Sequence, residues 1–181
     1  MPRRGSASRA AIGRLVLRML GWRIEANLPD LPKLLVIVAP HSSNWDFVIG
    51  IAVVFAMRLD ARFLGKAELF RGLLGVLMRW FGGTPVDRDS PEGVVDQVIA
   101  RFNASSKLLL AMAPEGTRRP VDRWKTGFYR IALGAGVPIV AAYLDNARRR
   151  AGFGPVFHPT GNTEAEIDAM RAFYARFPRR A

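Results

Sequence analysis

Past residue 33, short wholly apolar runs alternate with longer stretches in which apolar residues recur at helical spacing. Residues 34–38 (LLVIV), 62–64, 84–86, 108–112 (LLLAM) and 138–143 read as strands. Residues 45–57, 67–80, 91–103, 126–133 and 164–177 read as helices, with Pro91 at a first helical turn, where its missing N–H costs nothing. Strands without polar alternation are those buried on both faces, as in parallel sheets covered by helices. The expected fold class is therefore α/β: a single domain with a largely parallel sheet flanked by helices. Ahead of it, residues 9–22 form an amphipathic pattern. Arg14 and Arg18, four apart, share one face, while Ile12, Leu15, Val16, Met19 and Leu20 can share the other. Such a helix either packs on the core or lies in a membrane interface. Turn residues at 27–32 divide the chain into a basic amphipathic segment, 1–30, and a core domain, 31–181.

Composition narrows the chemistry. At 181 residues, 50% hydrophobic and 23% charged, the chain has the apolar content of one folded domain and not of a disordered tail. Cysteine is absent, which excludes disulfides, thiolate metal sites and thiol nucleophiles; with only His41 and His158, a multi-histidine metal site is not expected. The net charge of +12 is carried almost wholly by arginine and points to an anionic partner: nucleic acid, a membrane surface or a phosphorylated substrate. The arginine and alanine bias also fits a GC-rich, bacterial coding sequence. A nucleic-acid role rests on charge alone, since an RNA-recognition signature, zinc spacing and a helix-turn-helix are all missing from the sequence. No stretch reaches the roughly 18 apolar residues of a membrane span, and Arg14 and Arg18 interrupt the only signal-peptide candidate. The expected location is cytoplasmic.

Two segments echo each other. LLVIVAP is followed by His41-Ser42-Ser43, and LLLAMAP by Glu115-Gly116-Thr117. If both strands are parallel, both polar clusters leave the same carboxyl edge of the sheet, where α/β proteins bind ligands. A histidine steadied by a carboxylate is a general base, and Asp46 lies five residues after His41. Within one straight helix the two would be about 140° apart, so the pairing needs His41 in the loop and Asp46 in the first turn. The same residues also read as a helix start, with Ser43 or Asn44 as cap and Asp46 complementing the dipole. The second cluster, Pro114 to Arg118, reads as a phosphate-binding turn or as a plain turn with surface arginines. His158 sits among turn-formers and reads as a loop residue.

Taken in order, His41-x4-Asp46 and Glu115-Gly116-Thr117-Arg118 resemble the glycerolipid acyltransferase family, over roughly residues 34–145. Lys66-Ala67-Glu68-Leu69 looks like that family's Lys-x-Glu-Leu segment, and Gly82 to Arg88 like its second block. Lys125-Thr126-Gly127 and Val137-Pro138-Ile139-Val140 match later elements. Pro40, Arg119 and Ala141 depart from residues frequent in the family.

The resemblance implies a glycerol-3-phosphate acyltransferase-like fold. It also implies transfer of a fatty acyl group from a thioester, on coenzyme A or acyl carrier protein, to the hydroxyl of a lysophospholipid such as 1-acyl-glycerol-3-phosphate. In that scheme His41 is the base and Asp46 its partner, and no metal or further cofactor takes part. Lys66, Arg88, Glu115, Gly116, Thr117, Arg118 and Lys125 are the implied substrate-binding residues. An ornithine-type lyso-lipid or another alcohol is an alternative acceptor; a non-catalytic lipid-binding protein keeps the fold without the reaction. Either substrate pair would bring the chain to an anionic membrane, on the inner face of the cell membrane. There Arg3, Arg4, Arg9, Arg14 and Arg18, with Arg171, Arg176, Arg179 and Arg180, would hold it peripherally.

Overall fold

The structure, a computed structural model, describes residues 1–25, 28–86, 93–117 and 119–177, with Lys66 described through its backbone. In chain order the elements are α1 (Ala7–Met19), β1 (Arg23–Glu25), β2 (Lys33–Ala39), α2 (Asn44–Ala56) and β3 (Ala61–Lys66). A 3-10 turn (Ala67–Phe70) leads to α3 (Gly72–Trp80), β4 (Gly83–Val86), α4 (Gly93–Ala104) and β5 (Leu108–Met112). The chain ends with α5 (Gly127–Ala135), β6 (Ile139–Asp145), β7 (Arg150–Phe157) and α6 (Thr163–Tyr174).

The strands form one seven-stranded sheet in the order β1-β7-β6-β2-β5-β3-β4, parallel except for the β6–β7 pair. β2 lies at its centre because its apolar residues serve both faces. Leu35, Ile37 and Ala39 pack with Phe102, Phe128, Ile131 and Met170 of the α4–α6 layer. Leu34 and Val36 point to the opposite side, where α1, α2 and α3 lie. Each fully buried leucine or isoleucine contributes roughly 1.5–3 kcal/mol relative to exposure, so this strand anchors both layers. Tyr174 of α6 ties the layers together. Its buried hydroxyl lies 2.8 Å from the carbonyl oxygen of Ile37 and 2.9 Å from that of Ala142 on neighbouring strands.

The parallel sheet and helical layers agree with the sequence pattern, and three local features differ from it. The stretch 67–80 is not one helix. It breaks at Gly72 (φ 54°) after Phe70 turns inward and becomes buried. The antiparallel β7 was not expected from its glycine-interrupted sequence, nor was the three-residue β1. The third concerns α1, which crosses α2 through Ala10, Gly13 and Leu17, leaving Ile12, Leu15 and Met19 exposed. A Cβ on Gly13 would lie 2.6 Å from both the Ala52 carbonyl oxygen and the Ala56 amide nitrogen. Small residues at that crossing let the backbones approach, so the contact follows the small side chains and not the larger apolar ones.

Candidate active site

β2 delivers His41 to the carboxyl edge two residues past its end, and α2 begins three residues later. Ser43, with extended backbone (φ −148°, ψ 167°), caps α2: its Oγ accepts from the Trp45 N–H at 3.0 Å. Asp46 completes the capping box from the third helical position, its Oδ2 accepting from the N–H groups of Ser42 (2.6 Å) and Ser43 (2.7 Å). The same Oδ2 lies 3.4 Å from His41 Nδ1. Helix start and base–carboxylate pair, read as alternatives from the sequence, are therefore one arrangement. The Asp46 side chain is 1% exposed and that of His41 24%.

Burial alone would raise the Asp46 pKa. The hydrogen bond to His41 and the two N–H groups of Ser43 and Ser42 outweigh it and hold the carboxyl below its ordinary value. Asp46 is thus ionised at neutral pH. A carboxylate facing Nδ1 favours the tautomer with the proton there, which puts the basic lone pair on Nε2.

The second loop closes on the first. Glu115, 5% exposed, follows β5 by three residues, and its Oε2 accepts from the His41 backbone N–H at 3.2 Å, across 74 positions of sequence. Gly116 takes the left-handed conformation (φ 67°), and its N–H is engaged by the Ala113 carbonyl oxygen at 3.2 Å. The Lys125 stem lies so close over Gly116 that a Cβ there would be 2.8 Å from Lys125 Cδ. The Lys125 N–H donates to the Pro114 carbonyl oxygen at 3.0 Å. Thr117 Oγ1 accepts from the Arg119 N–H at 3.2 Å. The structure thus brings together His41, Asp46, Glu115, Gly116, Thr117 and Lys125.

Lys66 ends β3 at the same edge, paired in register with Val86. Arg88 and Arg118 lie outside the described residues, as do Arg179 and Arg180. His158 follows β7, whose last residue pairs with Ile139 at the start of β6. It therefore stands at the opposite edge of the sheet, as its loop reading requires. Among the described residues, no group of three histidine or acidic side chains is placed to hold a metal ion, and no helix is long and apolar enough to cross a membrane.

One feature of the site is absent from the sequence reading. A groove of about 460 Å³ opens beside Glu115 and Pro40, walled by Trp124, Arg171, Tyr174 and Phe177. The i, i+3 spacing of Tyr174 and Phe177 hinted at an aromatic stripe. Nothing linked it to Trp124, fifty positions earlier in the chain.

Residues 23–145 match the family model described as acyltransferase, more than half of the chain. The chain belongs to the acyltransferase family. Both loops of the site lie inside the matched region, and α1 and α6 outside it. Among curated acyltransferases, the 1-acyl-sn-glycerol-3-phosphate acyltransferase of Haemophilus influenzae is 25% identical over 142 residues, which is 73% of this chain and 58% of that protein. The Escherichia coli protein of the same description is 28% identical over 137 residues, or 71% of this chain and 54% of its own. This acyltransferase chain thus spans little more than half the length of the curated relatives it matches. The fold is that of a solved acyltransferase, the 1-acyl-sn-glycerophosphate acyltransferase PlsC of Thermotoga maritima. The TM-score is 0.65 at 16% identity, covering 93% of this chain and 76% of that one.

Proposed function

We propose that the chain transfers a fatty acyl group from a thioester to the hydroxyl of a lysophospholipid such as 1-acyl-glycerol-3-phosphate, with His41 as general base. The observation that carries this is the position of Asp46 Oδ2, 3.4 Å from His41 Nδ1 and fixed by two backbone N–H groups. A donor on coenzyme A or acyl carrier protein is a substrate, and the chemistry asks for no further cofactor.

His41 Nε2 takes the acceptor hydroxyl proton as that oxygen bonds to the thioester carbonyl carbon. The imidazolium that forms is stabilised by Asp46. When the tetrahedral intermediate collapses, the C–S bond breaks and the thiolate recovers the proton from His41. The products are an ester and a thiol, so the balance requires no covalent enzyme intermediate.

The carbonyl oxygen gains charge in this step and needs donors. The Gly116 N–H is already engaged by Ala113, so these would come from elsewhere around the turn that Glu115 pins to His41. Arg118, Arg88, Lys66 and Lys125 remain the candidates for an acceptor phosphate, with arginine suited to bind it bidentately.

The test is acyl transfer by purified protein from labelled acyl-coenzyme A and acyl carrier protein to a panel of lysolipids. Turnover with a glycerophospholipid acceptor, abolished in His41→Ala, is the expected result. Turnover that persists in His41→Ala removes the base assignment, and silence across the panel removes the acceptor class.

A further inference from the structure

Among the described residues, exposed large apolar side chains gather on one side of the molecule. Of thirteen large apolar residues that are exposed among the described residues, eleven belong to α1, α2, α3 and the 3-10 turn before α3. The opposite layer, α4–α6, contributes only Leu133, and β7 only Val156.

α3 is the extreme case. Leu73 is 88% exposed and Val76 67%, and Leu74, Leu77 and Trp80 are all exposed beside them. A nine-residue helix whose only buried position is Gly75 is poorly served by water. The other exposed apolar residues of this side are Leu69 of the 3-10 turn, Trp45 and Val48 of α2, and Ile12, Leu15 and Met19 of α1. Arg9 links the helices, its guanidinium 4.4 Å from the Phe55 ring centre and 4.5 Å from that of Trp80, while donating to the Trp80 carbonyl oxygen at 3.1 Å.

Charge is divided in the same way. α1, α2, α3 and the 3-10 turn hold four arginines, Arg71 just ahead of α3 is a fifth, and Glu68 is their only acidic residue besides buried Asp46. α4, α5 and α6 hold three arginines and four carboxylates. Arg14, Arg18, Arg71 and Arg79 have no carboxylate partner among the described residues.

We infer that this face, centred on α3, docks on an anionic lipid bilayer. A leucine-rich helix with an arginine at each end, half-exposed indoles beside it and no acidic residue of its own matches the apolar depth and negative surface of such a membrane. Arg171 and Arg176 do not share this role. Both belong to the α6 side, beyond the sheet from α1, and Arg171 is held by Asp168 and the Asp122 carbonyl.

The inference deepens the proposed acyl transfer and rests on it for the identity of the lipid. Trp45 stands between His41 and Asp46 in sequence and is 51% exposed, so an exposed indole of this side directly adjoins the base–carboxylate pair along the chain. A lysolipid could then reach His41 without its acyl chain leaving the bilayer.

The test is co-flotation of the full chain with phosphatidylcholine vesicles and with mixed phosphatidylcholine–phosphatidylglycerol vesicles. Leu73→Ser/Val76→Ser/Leu77→Ser is expected to lower the partition coefficient on mixed vesicles about 30-fold. Arg14→Gln/Arg18→Gln is expected to lower it about fivefold per residue, with no effect on neutral vesicles. Turnover of short-chain substrates below their micelle concentration should be unchanged in the triple variant. Brominated lipid should quench the fluorescence of the unmodified chain, and Trp80→Phe should remove a large part of that quenching.

Binding by the triple variant equal to that of the unmodified chain overturns the inference. So does the absence of quenching, or self-association through α3 without vesicle binding. A chain that docks yet transfers no acyl group overturns the functional reading alone. One that turns over monomeric substrates yet ignores vesicles overturns the docking face alone.

Discussion

Asp46→Asn separates the two duties of one carboxylate. Oδ2 of Asp46 receives N–H groups at 2.6 and 2.7 Å and faces Nδ1 of His41 at 3.4 Å. Asparagine keeps an acceptor oxygen for the helix cap but loses the charge. Hydrogen bonds to charged groups contribute about 1.5–3 kcal/mol each and neutral ones about half that, so the variant should lose about 1–3 kcal/mol of stability. For a chain of this size that lowers Tm by about 2–12 °C. The catalytic loss is larger. An amide facing Nδ1 permits the wrong tautomer and cannot stabilise the imidazolium, which costs about three to four orders of magnitude in kcat where such a pair is used.

The stability gap between the two proteins has a pH signature. Because Asp46 holds its proton less tightly folded than unfolded, its stabilisation is complete above the ordinary carboxylate value of about 4. It is then lost as pH falls through the depressed folded value. Urea titrations of both proteins between neutral and acid pH should therefore converge at the acid end, with kcat measured alongside at neutral pH. A gap that stays constant into acid, or an Asp46→Asn kcat within tenfold of the original, would refute the reasoning.

Gly13→Leu places a Cβ 2.6 Å from backbone atoms of α2 on both sides of the crossing, so α1 must move away. Thermal unfolding should show a loss of about 3 kcal/mol or more, since neither contact atom is at the end of a flexible side chain. Tyr174→Phe removes the proton shared by the carbonyls of Ile37 and Ala142 at a fully buried position. It should cost about 1–3 kcal/mol by urea unfolding with an unchanged m-value, and a neutral result would mean the clamp is not energetic.

The sheet was legible because buried parallel strands such as LLVIV and LLLAM carry their environment in every residue. The site was legible where its spacing is local. Ser43 to Asp46 is a capping interval, and His41 precedes it in the only loop that lets the two side chains meet. β7 was not, because Gly152, Gly154 and Pro155 obscure its pattern and its pairing with β6 is a tertiary matter. Nor was the outward face of α1, since a helix wheel groups Ile12, Leu15 and Met19 without saying that Gly13 sets the contact. The groove at Trp124 and Tyr174 could not be read, because it joins residues that only the folded chain brings within reach.

The long-range bond between the His41 amide and Glu115 has a consequence for how the molecule comes into being. β2 pairs with β5 and β6, and neither partner is its neighbour in sequence. Contacts of that span close large loops and form slowly, whereas the Ser43–Asp46 turn needs only a few residues. During synthesis the base and its carboxylate can find each other well before the chain that carries Glu115 has emerged. The wall that completes the site arrives only with the centre of the sheet, so catalytic competence is acquired together with the native topology, not ahead of it.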